Sequence, residues 1–99
     1  GNTEAAMTDY SEAIRLLPKM SAAYNNRGSL YIKQQQYDKA IEDFIKAIKS
    51  NPSYGTAYAN RGIAYEYRGD MVNACSDWKT AGDLGIDYAK QWLDQQCTN

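Results

Sequence analysis

Small and aromatic residues follow a helical spacing through the centre of the chain. Two successive stretches place such residues four and then three positions apart, namely Tyr24, Gly28 and Tyr31, and then Ala40, Phe44 and Ala47. Residues at this spacing share one face of an α-helix, so both stretches predict amphipathic helices. The polar runs 34–37 and 68–70 interrupt the spacing and predict short turns. Pro18 and Pro52 disfavour helical geometry in the residue before them and predict the end of the second helix of each pair.

The pattern repeats after 34 residues. A shift of the chain by this period superimposes identical or similar residues: Tyr24 on Tyr58, Asn26 on Asn60, Arg27 on Arg61, Gly28 on Gly62, Tyr31 on Tyr65, Ala40 on Ala74, Asp43 on Asp77, Phe44 on Trp78 and Ala47 on Ala81. The opposite shift aligns Ala6, Asp9, Tyr10, Ala13 and Ile14 with Ala40, Asp43, Phe44, Ala47 and Ile48. Because one period contains two helices, the sequence predicts a chain of stacked helix pairs.

The repeated residues resemble a tetratricopeptide repeat. The resemblance rests on Tyr24, Arg27, Gly28, Tyr31, Ala40, Phe44, Ala47 and Pro52, and on their equivalents from Tyr58 to Ala81. The chain departs from the family at Arg27 and Arg61, where Leu is usual, and at Gly85 and Ile86, which replace the Asn-Pro pair of the first repeat. The resemblance implies an all-α solenoid of antiparallel helix pairs, a superhelix of about six helices.

The repeat period divides the chain into four segments. Residues 1–20 match the second helix of a truncated repeat, residues 21–54 and 55–88 are full repeats, and residues 89–99 form a C-terminal capping helix. A solenoid needs such a cap because its last repeat otherwise exposes an apolar face. Since the first helix of the first repeat is missing, we expect a C-terminal fragment of a longer repeat protein.

Composition excludes several classes of chemistry. The 99 residues include 11 Lys and Arg, 12 Asp and Glu, and no His. Without His there is no Ser-His or Cys-His nucleophile and no His-ligated metal. We interpret the carboxylates that could act as catalytic acids as solvated charges on helix faces, namely Asp38, Glu42, Asp43, Asp77 and Asp83. We therefore expect no enzyme, no cofactor and no metal site. A net charge of −1 and the lack of a long apolar run argue against nucleic acid and membrane insertion.

The two cysteines leave one structural question open. Cys75 and Cys97 lie 22 residues apart, which matches no CxxC redox or zinc spacing. They are either a disulfide that ties down the last helix or one buried and one terminal thiol. A disulfide favours an oxidising compartment and free thiols favour the cytosol, so the localisation is unknown.

The resemblance places the candidate binding residues on the first helix of each pair, which lines a concave surface in the family. The equivalent positions here are Asn25, Asn26, Ser29, Lys33, Asn60, Ile63, Glu66 and Tyr67. Asn26 and Asn60 share one repeat position, and their amides suit recognition of a peptide backbone. The alternative is that both bond to neighbouring helices or cap local backbone groups. Of the nine tyrosines, Tyr54, Tyr67 and Tyr88 are predicted to be exposed for contact.

Some family members bind acidic chaperone tails through Lys, Arg and Asn on three consecutive first helices. Here the basic positions fall on Ala22, Asn25 and Thr56, and Lys33 is the only cation on the line. The surface therefore suits a neutral, extended peptide better than an acidic tail.

Two functions follow as hypotheses. The first is a noncatalytic scaffold that binds an extended peptide or protein segment in its concave groove. The alternative is a structural module that joins subunits or domains, as a homo-oligomer for example, through the uncapped N-terminal helix. That helix carries Ala6, Tyr10, Ala13 and Ile14, which have no preceding helix to pack against.

Overall fold

The computed structural model describes residues 2–97 as a stack of six α-helices. The helices are α1 (Asn2–Leu16), α2 (Ser21–Lys33), α3 (Tyr37–Ser50), α4 (Gly55–Tyr67), α5 (Met71–Asp83) and α6 (Asp87–Gln96). Each helix packs against the next one along the chain. The predicted all-α solenoid of helix pairs is thereby confirmed. The predicted segments 1–20 and 89–99 include Gly1, Thr98 and Asn99, which lie outside the described residues.

A residue in the left-handed region lies in the turn within each complete repeat, and another lies in the turn between α5 and α6. Gly69 has φ 83° and Gly85 has φ 97°, and Gln35 takes the same conformation with φ 60°. The backbone N–H that follows each of them bonds back to the preceding helix, as in the 2.8 Å bond from Gln36 to the carbonyl of Tyr31. This arrangement satisfies carbonyl groups that the helix end leaves without a partner. Gln35 is the unusual member, because a side chain disfavours this conformation.

Glycine lets an aromatic ring reach the helix backbone in both complete repeats. A Cβ at Gly28 would lie 2.6 Å from the Phe44 ring, and a Cβ at Gly62 would lie 2.5 Å from the Trp78 indole. Both rings are fully buried, and the indole nitrogen of Trp78 donates to the carbonyl of Ala59 at 3.3 Å. Dense packing thus explains why small residues face large ones at the repeat spacing.

Each complete repeat also contains a half-buried arginine paired with a buried aspartate. Arg27 donates to the two carboxylate oxygens of Asp43 at 2.7 and 2.8 Å, and Arg61 donates to those of Asp77 at 2.8 and 2.7 Å. The prediction that Asp43 and Asp77 are solvated charges is therefore wrong, since these side chains are only 3% and 6% exposed. The arginines that replace the family's usual leucine account for the difference, because they supply the cation that a buried carboxylate requires.

Two tyrosine rings lie beside the arginine of each pair. The Arg27 guanidinium lies 5.9 Å from the Tyr24 ring centroid and 5.7 Å from that of Tyr31, and Arg61 lies similarly between Tyr58 and Tyr65. Burial raises the pKa of the Asp77 carboxyl, and its hydrogen bonds with Arg61 oppose that rise. The pKa of the Arg61 guanidinium is raised, chiefly by the same hydrogen bonds.

A disulfide joins the last two helices of the stack. Cys75 of α5 is bonded to Cys97, which follows α6 directly. Trp92 and Leu93 of α6 pack against the buried cluster that contains Trp78 and Ala89. No helix within residues 2–97 has the length and hydrophobicity needed to cross a membrane.

Candidate functional site

The helices form an inner and an outer row. Among the described helices, α2 and α4 contact each other directly, whereas α1, α3 and α5 have no comparable contact with one another. The closer spacing of α2 and α4 places them on the concave side of the stack. By the repeat order, α6 continues this inner row. We call the surface formed by α2, α4 and α6 the groove.

A hydrogen-bond network ties part of the groove together. The side-chain amide of Asn60 donates to the side-chain oxygen of Asn25 at 3.1 Å and to the Ser29 hydroxyl at 3.4 Å. The Ser29 hydroxyl in turn donates to the Asn25 carbonyl at 3.2 Å. Asn25 is only 5% exposed. These three candidate residues therefore meet at the α2–α4 boundary and bond to each other. For Asn60, this agrees with the alternative prediction that its side chain bonds to a neighbouring helix.

Asn26 differs from Asn60 although the two share a repeat position. Asn26 is exposed, and its side chain forms no hydrogen bond within residues 2–97. Its amide keeps two donors and one acceptor for a ligand. Asn26 is therefore a polar residue of α2 that is exposed on the groove.

The other candidates form a mixed surface along the groove. Ile63 and Glu66 of α4 are half-buried, and Lys33 at the end of α2 is exposed. Tyr67 is 61% exposed, and its ring is stacked on that of Tyr37 at a centroid distance of 5.2 Å. The stacked rings place Tyr67, at the end of α4, against Tyr37 of α3.

Charge on the groove is sparse because the arginines point elsewhere. Arg27 and Arg61 sit on inner-row helices, but both are used by the buried aspartates. Among the candidate residues, Lys33 is the only cation and Glu66 opposes it. Within residues 2–97, no group of His, Cys, Asp and Glu side chains has the arrangement of a metal site.

Two aromatic residues extend the groove onto α6. Ala89 is fully buried, like Ala23 and Ala57 at the start of α2 and α4. This register puts Tyr88 in the place of Thr56, and Trp92 in the place of Asn60. The two rings meet edge to face at 4.8 Å, and Tyr88 is 41% exposed. Helix α5 and the connection before α6 are each one residue shorter than α3 and the connection before α4, so the 34-residue shift does not reveal these positions. The burial of Ala89, which matches that of Ala23 and Ala57, identifies them instead.

The fold and the groove define a helical-repeat protein, and comparisons with known proteins identify the repeat. The family model described as "Tetratricopeptide repeat" matches residues 21–54. Human "Tetratricopeptide repeat protein 6" is 45% identical over 40 residues, which are 40% of this chain and only 8% of that protein.

Solved structures align over nearly the whole chain. The second tetratricopeptide domain of human RPAP3, in complex with the HSP70 peptide SGPTIEEVD, is 30% identical with a TM-score of 0.88, covering 100% of this chain and 84% of that one. The first such domain of Spaghetti (RPAP3), bound to the HSP90 peptide SRMEEVD, is 25% identical with a TM-score of 0.89, covering 96% and 77%. Its second domain, bound to the same peptide, is 32% identical with a TM-score of 0.81, covering 85% and 78%. The chain belongs to the tetratricopeptide repeat family.

Proposed function

We propose that this chain is a noncatalytic scaffold that binds an extended, uncharged peptide segment in the groove. The observation that carries the proposal is the line of exposed Asn26, half-buried Ile63 and exposed Tyr88 on three successive inner-row helices. An amide side chain at one end suits a peptide backbone, and apolar and aromatic surface at the other suits a side chain of the ligand. The peptide complexes of the structural relatives support binding of this kind.

The charge of the groove favours a different peptide from those bound to the relatives. The peptides in those complexes end in Glu-Glu-Val-Asp, which carries three acidic side chains in addition to any terminal carboxylate. Carboxylates need cations or several N–H donors when they leave water. Among the candidate groove residues, Lys33 is the only cation, and the stem of Lys90 on α6 lies against Gly82 of α5. The groove positions of α6 are the aromatic residues Tyr88 and Trp92. An uncharged segment has no such requirement.

Selection from a random peptide library on the immobilised chain tests the proposal. We expect the enriched peptides to be uncharged in their centre and to contain an aliphatic or aromatic residue. A selected peptide should bind Asn26→Ala and Tyr88→Ala at least about tenfold more weakly, which corresponds to about 1.4 kcal/mol. Val72→Ala is the matched control, because Val72 is exposed on outer-row helix α5.

Two results would overturn the proposal. One is enrichment of peptides with acidic C-terminal tails, or binding of SRMEEVD that exceeds binding of SRMQQVN with an amidated C-terminus, which carries no carboxylate. The other is a selected peptide whose affinity falls equally for Val72→Ala and for the two groove variants. The thermal midpoint of each variant, measured first, separates loss of binding from loss of folding.

A further inference from the structure

Three lysines line one cleft beside the outer-row helix α3. The cleft has a volume of about 460 Å³ and lies where the connection between α1 and α2 meets the end of α3. We call it the lysine cleft, and its lining residues are Pro18, Lys19, Tyr24, Lys46, Lys49 and Ser50. The whole chain has seven lysines and a net charge of −1, so this concentration of positive charge is a local feature.

No neighbouring carboxylate neutralises these three ammonium groups. Lys19, Lys46 and Lys49 form no ion pair within residues 2–97, and the lining of the lysine cleft contains no Asp or Glu. Glu42 lies one helical turn before Lys46 but does not pair with it. Lys49 lies in the last turn of α3, where it offsets the partial negative charge of the helix end. That role accounts for one lysine and leaves the charge of the other two available.

The lysine cleft also contains the hydroxyl of a nearly buried tyrosine that has no partner. Tyr24 is only 8% exposed, and its hydroxyl forms no hydrogen bond within residues 2–97. In the same part of the chain, no fully buried side-chain oxygen or nitrogen lacks a partner, so the Tyr24 hydroxyl is accessible from outside. Because Tyr24 lines the lysine cleft, its hydroxyl is a free donor there. The ammonium group of Lys46 lies over the same ring, 5.7 Å from its centroid.

The 34-residue period separates what packing requires from what is particular to the lysine cleft. At the equivalent place in the next repeat the proline and the tyrosine recur, as Pro52 and Tyr58. The three lysines do not recur, and their equivalents are Ser53, Thr80 and Asp83. Asp83 pairs there with Lys79 at 3.3 Å. The packing of a repeat therefore does not need the three lysines, which favours a role for them in binding.

An apolar cleft adjoins the lysine cleft. It has a volume of about 530 Å³, and its lining residues are Leu17, Pro18, Lys19 and Met20. The two clefts share Pro18 and Lys19, and Leu17 is 55% exposed. A ligand held at the lysines by its charge can thus bury an apolar group against Leu17 and Met20.

We propose that the two clefts together bind a small organic phosphate monoester, with the phosphate among the lysines and the apolar body against Leu17. A phosphate monoester carries about −1.5 to −2 charges at pH 7, so it matches several cations better than a single carboxylate does. Lysine binds phosphate as a point charge, and the Tyr24 hydroxyl donates a further hydrogen bond to a phosphate oxygen. The site contains none of the candidate groove residues, and the proposal does not depend on peptide binding in the groove.

Titration of phenyl phosphate into the isotope-labelled chain, near pH 7 and at low ionic strength, tests the proposal. We expect saturable amide shifts at Lys19, Lys46 and Lys49, with a Kd of about 1 mM or lower. Phenyl sulfate has the same shape but only one negative charge, and inorganic phosphate lacks the apolar body. Each of these two probes should bind at least about fivefold more weakly than phenyl phosphate.

Two pairs of variants locate the site. Lys46→Met removes the charge but keeps an apolar stem, and should weaken the binding of phenyl phosphate at least about fivefold. Lys39→Met is its matched control, because Lys39 of the same helix lies over the Tyr31 ring at 5.9 Å in the same way but lines neither cleft. Tyr24→Phe should weaken binding at least about threefold, whereas Tyr58→Phe, at the equivalent position of the next repeat, should not. The thermal midpoint of each variant, measured first, verifies that it is folded.

Four outcomes would overturn the proposal. The first is the absence of saturable shifts at the three lysines. The second is equal weakening by Lys46→Met and Lys39→Met, which would indicate attraction by surface charge in general. The third is binding of phenyl sulfate or inorganic phosphate that is as tight as that of phenyl phosphate. The fourth is a phosphotyrosine peptide with blocked ends that binds at least about tenfold more tightly than phenyl phosphate, because the occupant would then be a phosphorylated protein segment.

Discussion

The side chain of Asn60 donates a hydrogen bond of 3.1 Å to the side-chain oxygen of Asn25, across the boundary between two repeats. Asn25 is only 5% exposed, so water cannot readily replace that donor. Asn26 is next in sequence but points to solvent. Two neighbouring asparagines thus differ: Asn25 joins two repeats, whereas the exposed side chain of Asn26 forms no hydrogen bond within residues 2–97.

The two asparagine positions should separate stability from binding. We expect Asn60→Ala to lower the free energy of unfolding by about 1–2 kcal/mol, because the buried oxygen of Asn25 loses its donor. Asn26→Ala should change that free energy by less than about 0.5 kcal/mol, since its side chain is exposed. Urea unfolding measures both values. Equal losses for the two variants would show that Asn60 does not stabilise the α2–α4 contact.

Removal of one member of the Arg61–Asp77 pair should be more costly than removal of both. Arg61→Leu leaves a buried carboxylate without its cation, and we expect a loss of about 2–3 kcal/mol in the free energy of unfolding. The double variant Arg61→Leu, Asp77→Ala removes the charge as well, so its loss should be smaller than that of Arg61→Leu. Chemical denaturation of the four proteins in the cycle gives the coupling between the two residues.

An exposed ion pair provides the control for this cycle. Arg15 and Glu12 pair on the surface of α1, where both side chains are more than half exposed. Arg15→Leu should therefore change stability by less than about 0.5 kcal/mol. A loss for Arg61→Leu no larger than this, or a double variant less stable than Arg61→Leu, would contradict the assigned role of the pair.

The sequence predicts the helix pairs but not the pairing of charges within them. The 34-residue period and the spacing of small and aromatic residues identify the solenoid, because the glycine–aromatic contacts obey the same period as the chain. Arg27 and Asp43 also recur at that period, yet they are 16 residues apart and meet only when α2 packs on α3. Charged residues are usually exposed, so periodicity alone did not reveal their burial.

The sequence predicts which helices carry the groove residues, but not which of these residues are exposed. The repeat period locates Asn25, Asn26, Ser29 and Asn60 on inner-row helices. Which of them is exposed depends on the angle between α2 and α4, and that angle follows from packing across the whole repeat. Tyr88 and Trp92 depart from the period because α5 and the connection after it are each one residue shorter than their counterparts, so the assignment of these residues to the groove depends on the burial of Ala89.

Reduction of the Cys75–Cys97 disulfide should loosen α6. The bridge closes a loop of 22 residues, and the loss of that constraint on the unfolded chain is worth about 3 kcal/mol. We expect a reductant to lower the thermal midpoint by about 10 °C or more, and to alter the fluorescence of Trp92, whose ring lies 5.5 Å from that of Trp78. The double variant Cys75→Ala, Cys97→Ala is the control and should be insensitive to reductant. An unchanged midpoint of the original chain after verified reduction would contradict this role.

Asp70 should make stability depend on pH in the acid range. Its carboxylate accepts hydrogen bonds from the backbone and side chain of Asn73 at 3.2 and 2.6 Å, and these bonds lower its pKa in the folded state. The unfolded chain then binds the proton at a higher pH, near the ordinary value of about 3.9. The contribution of Asp70 is therefore complete above that value and is lost as pH falls through the folded-state pKa. The raised pKa of Asp77 acts in the opposite direction.

Comparison with an amide isolates the contribution of Asp70. Asp70→Asn keeps a capping side chain but has no charge at any pH. The midpoint of the original chain should exceed that of Asp70→Asn at pH 7, and the difference should shrink as pH falls below about 4. Asp94→Asn, at an exposed site on α6 that caps no helix, should give a small difference at both pH values. A difference for Asp70→Asn that grows in acid would contradict the prediction.

Gln35→Gly should stabilise the protein. Gln35 has φ 60°, which costs a residue with a side chain about 1–2 kcal/mol, whereas Gly69 adopts this region freely in the equivalent turn of the next repeat. Glycine also gains entropy in the unfolded chain, so we expect a net rise of about 0.5–1 kcal/mol in the free energy of unfolding. Gln36→Gly is the matched control, because Gln36 has φ −104° and gains nothing from glycine there; that variant should be less stable than the original chain. Urea unfolding of both variants tests the prediction, and it fails if the two substitutions shift the unfolding midpoint in the same direction.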